Sequence, residues 1–397
     1  MKNKEELIKS PMQYLSAGSK ELFHSNFLYW IGKTNRALFE KIINELIDDN
    51  MVWPTNWEIR REYKNTDISI VYNKEGKTVK GHPVTKEYAF LVLENKVKSL
   101  ATRMQLLDYE KKFDDSFEEY PRYILLSMAK NYAELGEIEG SRWQITHYDK
   151  LAQAITKYAP QYAKDGDLVY INDYCKYIAN LSELVGSWMI DENTKHLQEH
   201  LDLKEMRIND LYEKLHYSQM VQMLVAQLED VDEALKERYK TNDEGNCPGV
   251  WWGISDFNVI TSDEFDMRHP VSSRKPYEHI FINSTLSHAI GLIDVKIKVA
   301  PDTCFVIQLQ GNRYCHGIEK KGIYNYVSNG DTLSRNEVSF MGFCDSGLKD
   351  KGIENKKLCH YGNDFVYNYQ KVTDETVGEL LDKMKNDIIE ILKIASK

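Results

Sequence analysis

The sequence predicts an α/β domain, a mixed sheet flanked by helices, followed by a helical segment and a β-rich α+β region. Three observations carry this. Apolar residues recur at helical spacing up to about residue 50, and the strand-like runs Asp67-Ile-Ser-Ile-Val-Tyr72 and Tyr88-Ala-Phe-Leu-Val-Leu93 come next. The stretch Thr241-Asn-Asp-Glu-Gly-Asn-Cys-Pro-Gly249 is the clearest break in the chain, and short β-like runs dominate beyond it. The divisions expected are residues 1–190, a helical connection over 191–243, and 244–397.

In order, Leu22, Phe23, Phe27, Trp30 and Ile31 lie on one helical stripe, and Leu38, Ile42, Ile43, Leu46 and Ile47 form a second. Trp57–Tyr63 reads as a first strand, turned by Asn65-Thr66 into the strand that Asp67 opens. The polar, glycine-punctuated stretch 73–86 is a hairpin loop into a third strand, Tyr88–Val97. A helix over 99–113, a strand over Tyr123–Met128, and helices over Trp143–Tyr158 and Asn172–Met189 follow.

Farther on, Val221, Leu224, Leu228, Val231 and Leu235 repeat at three- and four-residue steps, a stripe that fits a homodimer. The register falters upstream at Leu201, Ile208, Leu211 and Leu215, which favours packing on the chain's own domain. Beyond the break, strands are expected over 250–254, 279–282, 293–299, 304–309, 338–344 and 365–372. An amphipathic helix through Val377, Leu380, Met384, Ile388 and Ile391 closes the chain.

At 397 residues and 42% hydrophobic content there is enough apolar material for a substantial core and two domains. No apolar run approaches the ~20 residues of a membrane span, and the opening Met-Lys-Asn-Lys-Glu-Glu lacks a signal-peptide core. A soluble, cytoplasmic protein with no membrane partner is expected. The net charge of −10 excludes coating nucleic acid by bulk electrostatics but leaves room for a local basic groove. Six cysteines, none in a CxxC pair, read as reduced thiols rather than a zinc site, although Cys315-His316 and Cys359-His360 adjoin histidines.

The chemistry concentrates at one strand end. Side chains alternate along a strand, so Glu94 and Lys96 project to the same side. A carboxylate and an ammonium are costly to bury there without a partner or a task. With Asp67 from a neighbouring strand they make a small hard-cation site, suited to Mg²⁺ (or Mn²⁺), with a lysine to steady a phosphate or an attacking hydroxide. Lys74, Lys77, Lys80, Lys86, Lys98, Arg103, Lys111 and Lys112 form the best basic cluster nearby, read as phosphate contacts or as ordinary solvated charge. Glu58 and Glu62 fit a surface ion-pair ladder with Arg60 and Arg61 better than further ligands. His24 serves either as a proton shuttle or as a helix-packing residue. Val250-Trp-Trp-Gly253, Tyr314, Tyr324 and Tyr326 fit a β core better than a base-stacking surface.

Glu21 with His24, Asp67, Glu94-Asn95-Lys96, and Gln105 with Tyr109 together resemble the PD-(D/E)XK nuclease superfamily. The likeness runs from Ser19 to Gly186 and is nearest to a bacterial branch with a Glu-x-x-His-Ser-x-Phe-Leu start and a Glu-Asn-Lys strand end. The proline that names the superfamily is replaced by Thr66. The resemblance implies a restriction-endonuclease-like core and metal-dependent hydrolysis of phosphodiesters, in DNA rather than RNA, with defence against foreign DNA as the role by analogy. It implies metal ligation by Asp67, Glu94 and the carbonyl of Asn95, completed by Glu21. Lys96 would orient or help deprotonate the attacking water, with Gln105 and Tyr109 flanking the site. Lys77, Lys80, Lys98, Arg103 and Tyr109 would meet the nucleic acid. The competing class is a catalytically silent binding or scaffold module on the same fold.

Overall fold

The computed structural model describes residues 2–16, 20–75, 85–101, 103–114, 121–132, 141–197, 201–239, 251–254, 279–284, 292–300, 303–328 and 358–395. Lys77, Lys80 and the strand expected over 338–344 lie outside these residues. Contacts divide the chain into two compact units, Met1–Met189 with His200–Leu215, and Ile190–Glu199 with His216–Lys397.

The first unit opens with helices α1 (Lys2–Lys9), α2 (Pro11–Leu15), α3 (Lys20–Thr34) and α4 (Arg36–Leu46). Asn35 caps α4, its side chain accepting from the Leu38 amide at 3.1 Å, which satisfies a donor the helix itself cannot pair. The sheet follows: β1 (Trp57–Tyr63), β2 (Thr66–Glu75), β3 (Thr85–Lys96), β4 (Arg122–Ser127) and β5 (Trp143–His147), in spatial order β1-β2-β3-β4-β5. β1, β2 and β3 pair antiparallel, whereas β3–β4 and β4–β5 are parallel. The unit is therefore a mixed α/β layer structure, a five-stranded sheet flanked by helices. α5 (Arg103–Asp114) connects β3 to β4, and α6 (Tyr148–Tyr162) and α7 (Asp165–Gly186) follow β5.

Two packed layers fix the sheet. On one face Val92, Leu106, Phe113, Tyr123, Leu125 and Trp143 form a buried cluster that seats α5. α3 seats against β1 through Gly32, where a Cβ would lie 2.6 Å from Ile59 Cδ1 and 3.3 Å from the Phe39 ring. Gly32→Ala is expected to destabilise this unit by about 1–3 kcal/mol through overpacking, read as a lower melting temperature. Because α3 carries Glu21 and Ser25, that close approach also sets where those two side chains meet the sheet.

The helix expected over Trp143–Tyr158 starts instead at Tyr148, because Trp143–His147 pairs in parallel with β4. That pairing is non-local, and the short run Trp-Gln-Ile-Thr-His has no helical punctuation of its own.

α8 (Leu201–Glu205) and the long helix α9 (Asn209–Tyr239) follow. Leu211, Leu215, Val221, Leu224 and Leu228 on α9 are all buried. The second unit is built on a seven-stranded sheet: β6 (Trp251–Ile254), β7 (His279–Ser284), β8 (Leu292–Ala300), β9 (Thr303–Gln310), β10 (Arg313–Lys320), β11 (Cys359–Tyr361) and β12 (Phe365–Lys371), ordered β11-β12-β10-β9-β8-β7-β6. A short α10 (Ile323–Ser328) and the closing α11 (Val377–Ala395) complete it. β10 carries little strand signal, since Gly317 and four charged or histidine side chains interrupt its apolar pattern. α11 docks on it through Asp387, whose Oδ2 accepts from the Tyr314 hydroxyl and pairs with His316 Nε2, each at 2.8 Å. Tyr314 is thus a core residue. No helix among the described residues is long and apolar enough to cross a membrane.

Candidate active site

The parallel pairing of β3 with β4 aligns Glu94, Asn95 and Lys96 with Leu125, Leu126 and Ser127, so the polar triplet leaves the sheet at the carboxyl ends of its parallel strands. In open α/β sheets this is where crevices form. Asp67 enters from β2, one residue before the Ile68–Leu93 pair. Thr66 anchors that entry, its hydroxyl bonding the Tyr63 carbonyl and Ser69 Oγ, both at 2.8 Å. A proline at this position would supply neither bond.

Alternation then sorts the triplet. Glu94 and Lys96 face one side and form a buried ion pair, Nζ to Oε1 2.9 Å, with side chains 5% and 7% exposed. Asn95 faces the other side, where its amide donates to Ser25 Oγ at 2.8 Å, while its backbone N–H donates to Asp67 Oδ2 at 2.7 Å. Any ligand from Asn95 to the Glu94 side is therefore backbone, not side chain. From α5, Tyr109 donates to Glu94 Oε1 at 3.2 Å, and Gln105 donates to the Tyr109 hydroxyl at 2.8 Å and to Glu94 Oε1 at 3.4 Å. The contacts of Lys96, Tyr109 and Gln105 with Glu94 all fall on Oε1. Glu94 Oε2 is buried with no hydrogen-bond partner among the described residues.

Glu21 reaches the same strand end from α3, but its Oε1 is occupied by protein. It accepts from the Ser99 amide at 3.2 Å, the Val97 amide at 3.5 Å and the Ser99 hydroxyl. That makes Glu21 a clamp on the chain leaving β3, which adds negative charge to the site from one side.

The electrostatics follow from burial and crowding. Asp67 is pushed up to about 7, first by burial and then by the neighbouring Glu94 carboxylate, against the pull of the Asn95 N–H and Lys96. Burial likewise raises Glu94, opposed by Lys96. Burial works against the Lys96 ammonium, but Glu94 and Glu21 outweigh it and hold it above its ordinary value. Three carboxylates thus surround one committed lysine.

His24 is fully buried, 2.9 Å from the Tyr174 hydroxyl through Nδ1, with its ring against Tyr148 and Tyr177. Its surroundings are those of a helix-packing residue. Glu58 is exposed and pairs with Arg60 at 3.6 Å, and Arg60 reaches Glu87 at 2.5 Å, a surface arrangement in which Glu62 is also exposed. Of the basic cluster, Lys74 and Lys86 are exposed, Lys111 pairs with Asp108 at 3.0 Å, and Lys112 lies over the Tyr109 ring. Arg103 is the first residue of α5, and Lys98 is half-buried beyond Lys96.

Two participants lie outside the motif: Ser99, which donates to Glu21, and Lys214 of α9, whose half-buried ammonium is held below its ordinary value by burial, with Asp210 and Glu21 opposing and Lys96 and Lys98 adding to it. Each arrives from a different element, so only the fold brings it in.

Among the described residues, no three His, Cys, Asp or Glu side chains stand ready to share a metal ion. The donor set is narrower: the carboxylates of Asp67 and Glu94, with backbone oxygen near them. Such a set suits Mg²⁺, which keeps several waters and takes one or two protein carboxylates. The unpartnered Glu94 Oε2 and the crowded Asp67 carboxylate are the two groups that a bound cation would satisfy.

No family model matches the chain, and neither a curated protein nor a solved structure matches it.

Proposed function

We propose that the first unit is a restriction-endonuclease-like, metal-dependent nuclease that hydrolyses phosphodiesters in DNA. The observation that supports it most is the Glu94–Lys96 pair, buried at a strand end beside Asp67 with Glu94 Oε2 unmet. A purely structural ion pair would gain by satisfying both oxygens.

In this reading Asp67 and Glu94, with the Asn95 carbonyl, hold Mg²⁺ or Mn²⁺. The bound ion supplies an acidified water and offsets charge on the phosphate. Tyr109 and Gln105 hold Glu94 Oε1, which leaves the buried Oε2 as the oxygen that would ligate the ion. Lys96 keeps its proton, because Glu94 and Glu21 favour the charged form, so its role is to orient the nucleophile and stabilise the anionic phosphate rather than to act as base. Glu21 fixes the 97–99 segment and is a positioning residue.

The test is incubation of the full chain with supercoiled, linear and single-stranded DNA and with RNA, in Mg²⁺, Mn²⁺ or EDTA. Cleavage of DNA that requires the metal and is lost in Glu94→Gln is the expected result. Cleavage of RNA alone changes the polymer. Absence of both cleavage and metal-dependent stabilisation leaves a binding module.

A further inference from the structure

Phe23, Phe27 and Trp30 share one stripe of α3 by their spacing, which reads as core, yet all three are only half-buried. Glu21 and Ser25 lie two positions away from that stripe, roughly 200° around the helix, and engage the end of β3. The aromatic stripe instead lines an open cavity of about 470 Å³, to which α2 adds Met12 and α7 adds Asp167 and Tyr170. That volume lies in the range of cavities that hold a whole small molecule. The aromatic wall is held in place: Phe27 stacks on the buried Tyr174 with ring centres 3.7 Å apart, and Trp30 meets Phe27 edge-on at 5.3 Å.

Among the described residues that line the cavity, Asp167 is the only charged one, and its half-buried carboxylate makes no side-chain hydrogen bond or ion pair among the described residues. Its place in the first turn of α7 accounts for a carboxylate at that helix end, but not for the aromatic wall beside it. Aromatic faces carry negative potential and attract a cation, more strongly where water is partly excluded. A carboxylate in the same wall adds to that attraction and repels an anion. We propose that the cavity binds a small organic cation, an ammonium group on an apolar body. The charge sits beside Asp167 and Tyr170, neighbours at i and i+3 on α7, and the apolar body lies against Phe23, Phe27 and Trp30. The site is distinct from the strand end that carries Glu94 and Lys96, so its ligand does not depend on the nuclease reading.

The experiment is a ligand-observed NMR titration of the full chain with benzyltrimethylammonium, benzyl alcohol and benzenesulfonate, probes of similar size and different charge. Saturable binding of the cation is expected, several-fold tighter than the alcohol, with no binding of the sulfonate. Asp167→Asn and Tyr170→Leu should each weaken the cation several-fold. Asp167 is half-buried and Tyr170 is 60% exposed, so neither change empties the core, and circular dichroism checks that both variants fold. Asp165→Asn, an exposed acid of the same helical turn outside the cavity, is the control and should leave the affinity unchanged. Unchanged binding of the cation by folded Asp167→Asn and Tyr170→Leu overturns the assignment. Equal binding of cation and alcohol overturns it as well, leaving an apolar cavity without charge selection. So does absence of cation binding. If the wild type then self-associates in sedimentation and Tyr170→Leu does not, the surface belongs to a second copy of the chain.

Discussion

Lys96→Met is expected to lower the DNA cleavage rate by about 10³-fold and to destabilise the first unit by about 3–5 kcal/mol. The two effects have one origin. Removing the ammonium strips the transition state of a positioned cation and strands the Glu94 carboxylate, whose side chain is only 5% exposed. Glu94 then stays buried with neutral donors, among them Tyr109 and Gln105, and no cation paired to it. A second substitution separates the effects. In Glu94→Gln with Lys96→Met neither member of the pair is charged, and most of the lost stability should return, because breaking a buried pair costs far more than replacing both members. Activity should not return. Chemical denaturation of the four proteins of the cycle, beside their cleavage rates, checks this. Full cleavage by folded Lys96→Met would remove that residue from the chemistry. A double variant no more stable than Lys96→Met would show that the pair is not the source of the destabilisation.

How far the site is legible in the residues depends on how local its geometry is. Glu94 and Lys96 share a face by strand alternation alone, and Gln105 and Tyr109 share one by the helical repeat, so their pairing follows from spacing. The joining of Asp67 to Glu94 across the β2–β3 pair needs only a hairpin, which the polar 73–86 stretch signals. The role of Asn95 follows from the same alternation, since its side chain must leave from the opposite face and meets Ser25 there. Where contacts cross the sheet order or come from distant helices, the residues carry no mark of them. β5 takes its identity from its parallel partner β4, and Trp143 packs with Tyr123 at 5.0 Å between ring centres. Lys214 reads as one more polar position on an amphipathic helix. Glu21 shows the middle case: its place beside the site is visible in the motif, but its engagement with the Ser99 and Val97 amides is set by how α3 crosses the sheet.

In metal-free protein, Asp67→Asn is expected to flatten the fall in stability between acid and neutral pH. The sign follows from the direction of the shift. A carboxyl moved from 3.8 to about 7 binds a proton in the folded state that the unfolded chain has released, so stability is greatest below the lower value and is lost as pH rises through the upper one. At ~1.4 kcal/mol per pH unit the whole window is worth on the order of 4 kcal/mol as a ceiling, since Asp67 and Glu94 share a site and titrate as a pair. Asparagine has no charge to crowd Glu94, so the variant should be the more stable protein at pH 8 in EDTA, with a smaller gap at pH 5. Adding Mg²⁺ at pH 8 should reverse the order. The cation favours the ionised Asp67 and Glu94, raising the wild-type melting temperature, whereas the variant has lost one of its two carboxylate donors. Thermal unfolding of both proteins at the two pH values, with and without Mg²⁺, gives the answer in one experiment. Parallel pH profiles in EDTA would show that Asp67 is not held near neutrality by its neighbours. A melting temperature that Mg²⁺ leaves unchanged in the wild type would remove the ion from the site.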